Sequence, residues 1–184
     1  MALVALVVAF VLKTFLVQAF FIPSESMVPQ LHVDDRVLVT KLAYRFHQPR
    51  RGDVVVFHPP GFDQPEPDRS LVETVGYELR QLVGLAAPAE EDFIKRIIAL
   101  PGETVEGRDG SVVIDGLRLV EPYLPEGVTT ADFNPEQVPE GHVWVMGDNR
   151  SASSDSRTFG PVPIDEIVGR AFAKVWPPAD ASFL

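Results

Sequence analysis

The fold is organised around the stretch IPSESMVP, residues 22–29, which follows an apolar N-terminus and precedes strand-like sequence. Each proline fixes its own φ angle and disfavours the helical region for the residue before it, so we expect an extended segment. In an extended chain Ser24 and Ser26 point to the same side. One hydroxyl could attack a carbonyl while the other donates a hydrogen bond to the oxyanion. The alternative is a Ser/Pro linker that leaves a membrane anchor, because short motifs often match by chance.

The composition predicts a globular chain with one sizeable core. The chain has 184 residues, of which 46% are hydrophobic and 23% charged, proportions that are typical of a folded domain. The net charge of −10 argues against nucleic-acid binding, which needs a basic surface. The 13 Gly and 17 Pro suit turns between short strands better than a helical bundle.

The cysteine and histidine content limits the possible chemistry. There is no Cys, which excludes a disulfide framework and a thiol nucleophile. The four His residues, His32, His47, His58 and His142, have no metal-ligand spacing such as HExxH. We therefore expect neither a metal nor another cofactor.

Residues 1–20 are predicted to be a membrane anchor formed by a transmembrane helix. Residues 1–22 carry a single charge, Lys13, and 22 helical residues would reach about 33 Å, enough to cross a bilayer core. Lys13 is costly at mid-depth, although its stem can snorkel. Alternatively, the chain begins further upstream, with Lys13 at the outer interface and residues 14–22 at the membrane surface or in the folded domain. A cleavable signal peptide is disfavoured because no charged segment precedes the apolar run.

Short apolar runs rich in strand formers predict a mainly β fold of twisted antiparallel sheets. Residues 111–119 read as a tight hairpin around Asp115-Gly116. The predicted strands are residues 36–40, 54–57, 92–100, 142–146 and 167–176.

The predicted domain organisation places two insertions in one catalytic β core, which comprises residues 21–102 and 141–184. Residues 58–92 form the first insertion, in which apolar residues at helical spacing predict an amphipathic helix near residues 71–83. Residues 103–140 are rich in turns and are predicted to form a small β-rich insertion.

Lys95 is the candidate partner for the serines. Strand alternation places Lys95 on one face with Phe93 and Ile97, while Arg96 points to the other face. A lysine among apolar side chains can lose its proton near neutral pH, because burial disfavours the charged form. A neutral amine can take the proton of a serine hydroxyl, and Ser–Lys is a recognised nucleophile–base pair. The alternative is a solvated basic pair on an edge strand.

In the motifs around Ser24, Ser26 and Lys95, the sequence resembles the bacterial type I signal peptidases. These are membrane-bound serine proteases that remove signal peptides from exported proteins. The resemblance covers most of the chain, although residues 58–92 match no block. The blocks are IPSESMVPQL at 22–31, DRVLVTK at 35–41, RGDVVVF at 51–57 with FIKRIIALPG at 93–102, and GDNRSASSDSR at 147–157.

The resemblance implies a role for each matching residue. Ser26 corresponds to the nucleophile, Lys95 to the general base and Ser24 to the side-chain donor of the oxyanion hole. Ser153 corresponds to the serine that positions the lysine amine. The supporting ion pairs are implied at Asp155, Arg157 and Arg96. The pockets that bind substrate are implied at Phe20, Ile22, Pro23, Met27, Leu31, Val56, Phe93 and Ile94. Glu25 departs from the family, which often has Gly there, and we expect its side chain to face away from the serines.

The expected function is that of a membrane-anchored serine endopeptidase that cleaves N-terminal signal peptides from exported preproteins. The resemblance implies a single-pass protein of the cytoplasmic membrane, with its catalytic domain on the extracytoplasmic side. Its partners would be signal peptides and membrane lipid, with no nucleic acid and no metal. Two alternatives stay open: a self-cleaving Ser/Lys protease of the repressor type, and an inactive anchored β domain that binds exported chains.

Overall fold

A computed structural model describes residues 17–61 and 92–184 of the chain. Most of the predicted anchor, at 1–16, and the predicted helix near 71–83 lie outside these residues. Among the residues described, no helix combines the length and apolar character needed to cross a membrane.

The described chain consists mainly of short β-strands joined by turns. The strands are β1 (Val17–Phe21), β2 (Arg36–Thr40), β3 (Val54–Phe57), β4 (Phe93–Ala99), β5 (Thr104–Arg108), β6 (Ser111–Ile114), β7 (Leu117–Arg118), β8 (Phe133–Gln137), β9 (His142–Met146), β10 (Val162–Pro163), β11 (Ile167–Trp176) and β12 (Ser182–Phe183). The helices are short: α1 (Ala43–Phe46), α2 (Ser156–Phe159) and the 3₁₀ turns η1 (Ile164–Glu166) and η2 (Pro178–Asp180).

These strands form two antiparallel sheets. The larger is 8-stranded, with the order β1-β2-β11-β3-β4-β9-β10 and β12 paired to β11; the smaller is 4-stranded, with the order β7-β6-β5-β8. The mainly antiparallel-β part of the predicted fold class is therefore confirmed. The small sheet lies within residues 103–140, although the division of the chain into domains stays a prediction.

Most of the strands occur where the sequence predicts them. Strands β2, β3, β9 and β11 have the predicted bounds, and β4 is one residue shorter at each end. The hairpin of β6 and β7 turns at Asp115 and Gly116, whose φ angles are 48° and 79°. Both residues are in the left-handed region that a two-residue type I′ turn requires.

Two local predictions differ from the structure. The anchor helix predicted for residues 1–20 is wrong at its end, because Val17–Phe21 is a strand paired with β2. A short apolar run fits a buried strand as well as a helix. Residues 22–29 are also not extended throughout, since Val28 N–H donates to the Glu25 carbonyl at 3.1 Å. The prolines restrict only themselves and their preceding residues, which leaves residues 24–27 free to turn.

Apolar clusters hold together the two sheets and the loop between β1 and β2, residues 22–35, which we call the serine loop. The first cluster lies around the serine loop, and the second joins β5 and β6 of the small sheet to β4 and β9 of the large sheet. We call the first the loop cluster; it contains Phe20, Ile22, Met27, Leu31, Val37, Val39, Val54, Val56, Ile94 and Ala171.

Gly169 shows how closely the central strands approach. A Cβ atom at this position would lie 2.4 Å from the Thr40 carbonyl oxygen and 2.8 Å from Cγ1 of Val39. We expect Gly169→Ala to lower the free energy of unfolding by about 2 kcal/mol, because paired strands would have to separate. Urea unfolding measures this, with Val168→Ala as the neighbouring control that only removes packing. A Gly169→Ala variant as stable as the parent chain would contradict the close approach.

Candidate active site

The loop between β1 and β2 holds Ser26 in a fixed place. At its base, Ile22 N–H donates to the Asp35 carbonyl at 2.9 Å and Asp34 N–H donates to the Ile22 carbonyl at 3.0 Å. Met27 and Leu31 are fully buried in the loop cluster. The apolar side chains after the nucleophile candidate therefore anchor the loop on the sheet.

Lys95, on strand β4 inside the large sheet, contacts Ser26. Its Nζ atom lies 2.7 Å from Ser26 Oγ and donates a second hydrogen bond to the Ile94 carbonyl at 2.9 Å. Both residues are buried, with 4% of Lys95 and 7% of Ser26 exposed. The two residues that the sequence selects are thus within direct proton-transfer distance.

Burial lowers the pKa of Lys95 from 10.5 to about 8, although the negative charges of Asp155 and Asp148 oppose the shift. The ring of Phe93 lies 5.4 Å from the Lys95 amine, which agrees with the predicted shared face of these two residues. The apolar environment thus favours a neutral amine at a pH not far above 7.

Ser24 lies beside Ser26 on the same side of the loop. Its hydroxyl donates to Ser26 Oγ at 3.3 Å, so the predicted orientation of the pair is present despite the turn that follows. Glu25 between them is exposed. Its carbonyl accepts a hydrogen bond from the Asn149 side chain at 3.2 Å, and the Ser26 carbonyl accepts one from Asn149 N–H at 3.0 Å.

Residues 147–157 pack against the serine loop through Gly147. A Cβ atom at Gly147 would lie 2.5 Å from the Ser26 carbonyl oxygen and 2.3 Å from Ser153 Oγ. The Ser153 hydroxyl is buried and has no hydrogen-bond partner among the described residues, so the expected bond to Lys95 is not formed in this structure. Ser153 lies near enough to Asp155 to favour its charged form, although no bond of ordinary geometry joins them.

Asp155 and Arg157 form the predicted ion pair. Arg157 donates from Nε and Nη2 to the two carboxylate oxygens, each at 2.8 Å, and Gly147 N–H donates to Asp155 at 3.0 Å. Burial raises the pKa of Asp155, but the hydrogen bonds from Arg157 and Gly147 outweigh it and hold that pKa below its usual range. Asp155 is therefore a carboxylate near the amine.

Arg96 also forms a buried ion pair, with Asp148. It donates from Nε at 2.8 Å and from Nη2 at 2.7 Å, and it further contacts the Gln30 side chain and the Gly52 carbonyl. Sequence reasoning did not assign Asp148 or Gln30 to the site. The available signal was a carboxylate two residues after the end of β9, within the GDNR motif.

The residues predicted to bind substrate fall into three environments. Pro23 is exposed, and Phe93 packs against Phe57 and Phe159 with ring centroids 6.2 Å apart in each case. The other six belong to the loop cluster: Phe20, Ile22, Met27, Leu31, Val56 and Ile94. Their role in binding substrate stays a prediction. Within the described ranges, no group of three or more His, Asp or Glu side chains could hold a metal ion.

Comparisons with known proteins identify the family of this chain. The family model described as signal peptidase, peptidase S26, matches residues 1–176. Signal peptidase I of Mycobacterium tuberculosis H37Rv is 39% identical over 211 residues, covering 97% of this chain and 71% of that protein. Probable signal peptidase I-1 of Synechocystis sp. is 42% identical over 175 residues, covering 95% and 79%. A signal peptidase I crystal structure from Enterococcus faecalis V583 gives a TM-score of 0.46 at 30% identity, covering 67% of this chain and 97% of that one.

Gly147 should be essential for the packing of residues 147–157 against the serine loop. We expect Gly147→Ala to displace Ser26 and to lower kcat/KM of any Ser26-dependent reaction by about 100-fold, with a loss of about 1–3 kcal/mol in the free energy of unfolding. Peptide cleavage and urea unfolding measure the two effects. Ser154→Ala, at an exposed position in the same segment, is the matched control. Full activity of Gly147→Ala would rule out the tight contact.

Proposed function

The chain belongs to the signal peptidase family, peptidase S26, a family of serine peptidases, and from this premise we propose that Ser26 and Lys95 cleave signal peptides from exported preproteins. The observation that carries the proposal is the buried contact of 2.7 Å between Lys95 Nζ and Ser26 Oγ. A serine hydroxyl has a pKa far above 7 and needs a base within hydrogen-bond reach. Among the readings that the sequence left open, family membership supports the peptidase.

The proposed reaction proceeds through an acyl-enzyme. Neutral Lys95 takes the proton of Ser26 as Oγ attacks the scissile carbonyl, and the resulting ammonium returns that proton to the leaving amine. Lys95 then takes a proton from water as the water oxygen attacks the ester, and the ammonium returns that proton to Ser26 Oγ as the ester bond breaks. The Ser24 hydroxyl and the Ser26 N–H would stabilise the oxyanion, contributing on the order of 3 kcal/mol per donor.

The pKa of Lys95 determines how much enzyme is active at a given pH. With a pKa of about 8, about one tenth of the amine is neutral at pH 7, against about one in three thousand for an ordinary lysine. Burial of the Lys95 amine beside the Phe93 ring is therefore part of the proposed mechanism.

The substrate and the cellular location complete the proposal. We expect the peptide to bind as an added strand, with backbone hydrogen bonds giving affinity and shallow apolar pockets selecting small residues such as Ala. The apolar residues that precede β1, 1–16, would anchor the chain in the cytoplasmic membrane, with the site on its outer side. Signal peptides that lie at the membrane surface would then reach Ser26 directly.

The proposed dyad predicts that Ser26→Ala and Lys95→Ala each abolish cleavage of a synthetic peptide with Ala at −1 and −3. Each change should lower kcat by about 1000-fold or more while leaving peptide binding intact, because nucleophile and base act as one unit. Lys41→Ala, which removes an exposed lysine, is the matched control and should keep full activity. Unchanged cleavage by either dyad variant would refute the proposal.

The pH profile gives a second prediction. Since Lys95 acts only when neutral, kcat/KM should rise with pH, changing about tenfold per unit below the pKa and levelling off above it. The midpoint should lie near the Lys95 pKa of about 8. Initial rates with a peptide that has no ionisable group near the cleaved bond measure the profile. A profile that stays flat through this range would exclude Lys95 as the base.

A further inference from the structure

Glu121 and Tyr123 lie in the segment between β7 and β8 of the small sheet. We infer that both are positioning residues for the reaction: through Arg150 and Arg96 they hold residues 147–150 and the serine loop in place. The inference rests on the proposed Ser26–Lys95 chemistry and adds to it a role for the small sheet.

The first contact joins Glu121 to Arg150. Arg150 donates from Nη1 to Glu121 Oε2 at 3.0 Å and to Thr130 Oγ1 at 2.6 Å, and Nη2 contacts Glu121 Oε1. Only 1% of the Arg150 side chain and 10% of the Glu121 side chain are exposed. A guanidinium this buried needs a partner charge, and Glu121 supplies it.

Arg150 links Glu121 to the backbone that contacts Ser26. Its Nε donates to the Gly147 carbonyl at 3.1 Å, and the adjacent Asn149 N–H donates to the Ser26 carbonyl at 3.0 Å. Gly147 itself packs directly against the Ser26 carbonyl. The position of the Ser26 backbone therefore depends on residues 147–150, which Glu121 holds through one arginine.

The second contact runs through Tyr123 to Arg96. The Tyr123 hydroxyl donates to Glu121 Oε1 at 2.6 Å, and its ring lies 4.1 Å from the Arg96 guanidinium carbon. Burial, together with the Glu121 charge, raises the pKa of Tyr123 above its ordinary value, so the phenol stays a donor. Arg96 follows Lys95 in β4, and it pairs with Asp148 and contacts Gln30 of the serine loop.

Packing of the small sheet alone does not account for these polar contacts. The second apolar cluster already joins the two sheets through residues such as Val105, Ile114 and Trp144. Tyr123 also packs against that cluster. Glu121 and Tyr123 complete a charge-balanced group of two arginines and two carboxylates, in which Arg150 pairs with Glu121 and Arg96 with Asp148. Burying such charges is costly unless every member is paired, so loss of one member would disturb the loops that the group contacts.

We test the inference with Glu121→Gln and Tyr123→Leu in the full chain, using the same peptide assay. We expect each change to lower kcat about 10- to 100-fold and to leave KM within about twofold, at temperatures where circular dichroism shows the variant fully folded. Tyr123→Phe, which keeps the ring over Arg96, should retain more activity than Tyr123→Leu. In an Arg150→Met background, Glu121→Gln should lower kcat little further, because Glu121 acts through Arg150.

The controls separate this inference from the proposed function. Glu106→Gln removes a carboxylate of the same small sheet that pairs with Arg108 at 3.0 Å, and it should leave kcat unchanged. Activity that survives Lys95→Ala refutes the dyad. Activity that requires Lys95 but persists within about twofold in Tyr123→Leu and in folded Glu121→Gln overturns the positioning role. If Glu121→Gln does not fold, Tyr123→Leu decides alone, because it leaves no charge without its partner.

Discussion

The proposed chemistry depends on one contact, in which the Lys95 amine lies against the Ser26 hydroxyl inside the protein. The amine must be buried enough to lose its proton, yet the carboxylates of Asp155 and Asp148 lie near it and favour the charged form. Each carboxylate is paired with an arginine, Arg157 or Arg96. Each arginine compensates part of the charge of its carboxylate, which weakens the upward effect of that charge on the pKa of the amine. Burial, which lowers the pKa of the amine, therefore dominates.

The fold brings the two reacting groups together from unlike elements. Lys95 comes from β4, which lies between β3 and β9 inside the large sheet, and its backbone is held on both sides. Ser26 comes from the loop between β1 and β2, which depends on buried Met27 and Leu31 for its position. Residues 147–157, directly after β9, contact the Ser26 carbonyl and place Asp155 near the Lys95 amine. A site on a rigid strand, completed by an anchored loop, keeps its geometry better than a site built from loops alone.

Local patterns in the sequence predicted strands β2, β3, β4, β9 and β11, the Asp115-Gly116 hairpin, the shared side of Ser24 and Ser26, and the apolar surroundings of Lys95. Each depends on neighbours within a few residues, where alternation and turn preferences act. The partner of Arg96 could not be read this way, because Asp148 is 52 residues away. The same holds for Glu121 and Arg150, and for β1, whose apolar run fits a helix until β2 supplies a pairing edge. The roles of the site residues stay predictions.

The buried arginines also explain why polar groups, and not only apolar side chains, lie in the protein interior next to the site. Arg96 joins the Asp148 carboxylate to the Gly52 carbonyl, and Arg150 joins the Glu121 carboxylate to the Gly147 carbonyl. Apolar side chains could fill the same volume and often give equal or greater stability than a buried ion pair. They could not donate hydrogen bonds, however, so the Gly52 and Gly147 carbonyls would lose the donors that hold them in their present orientation. Each arginine therefore links a charge to the backbone, which is how a buried ion pair can set the position of a loop.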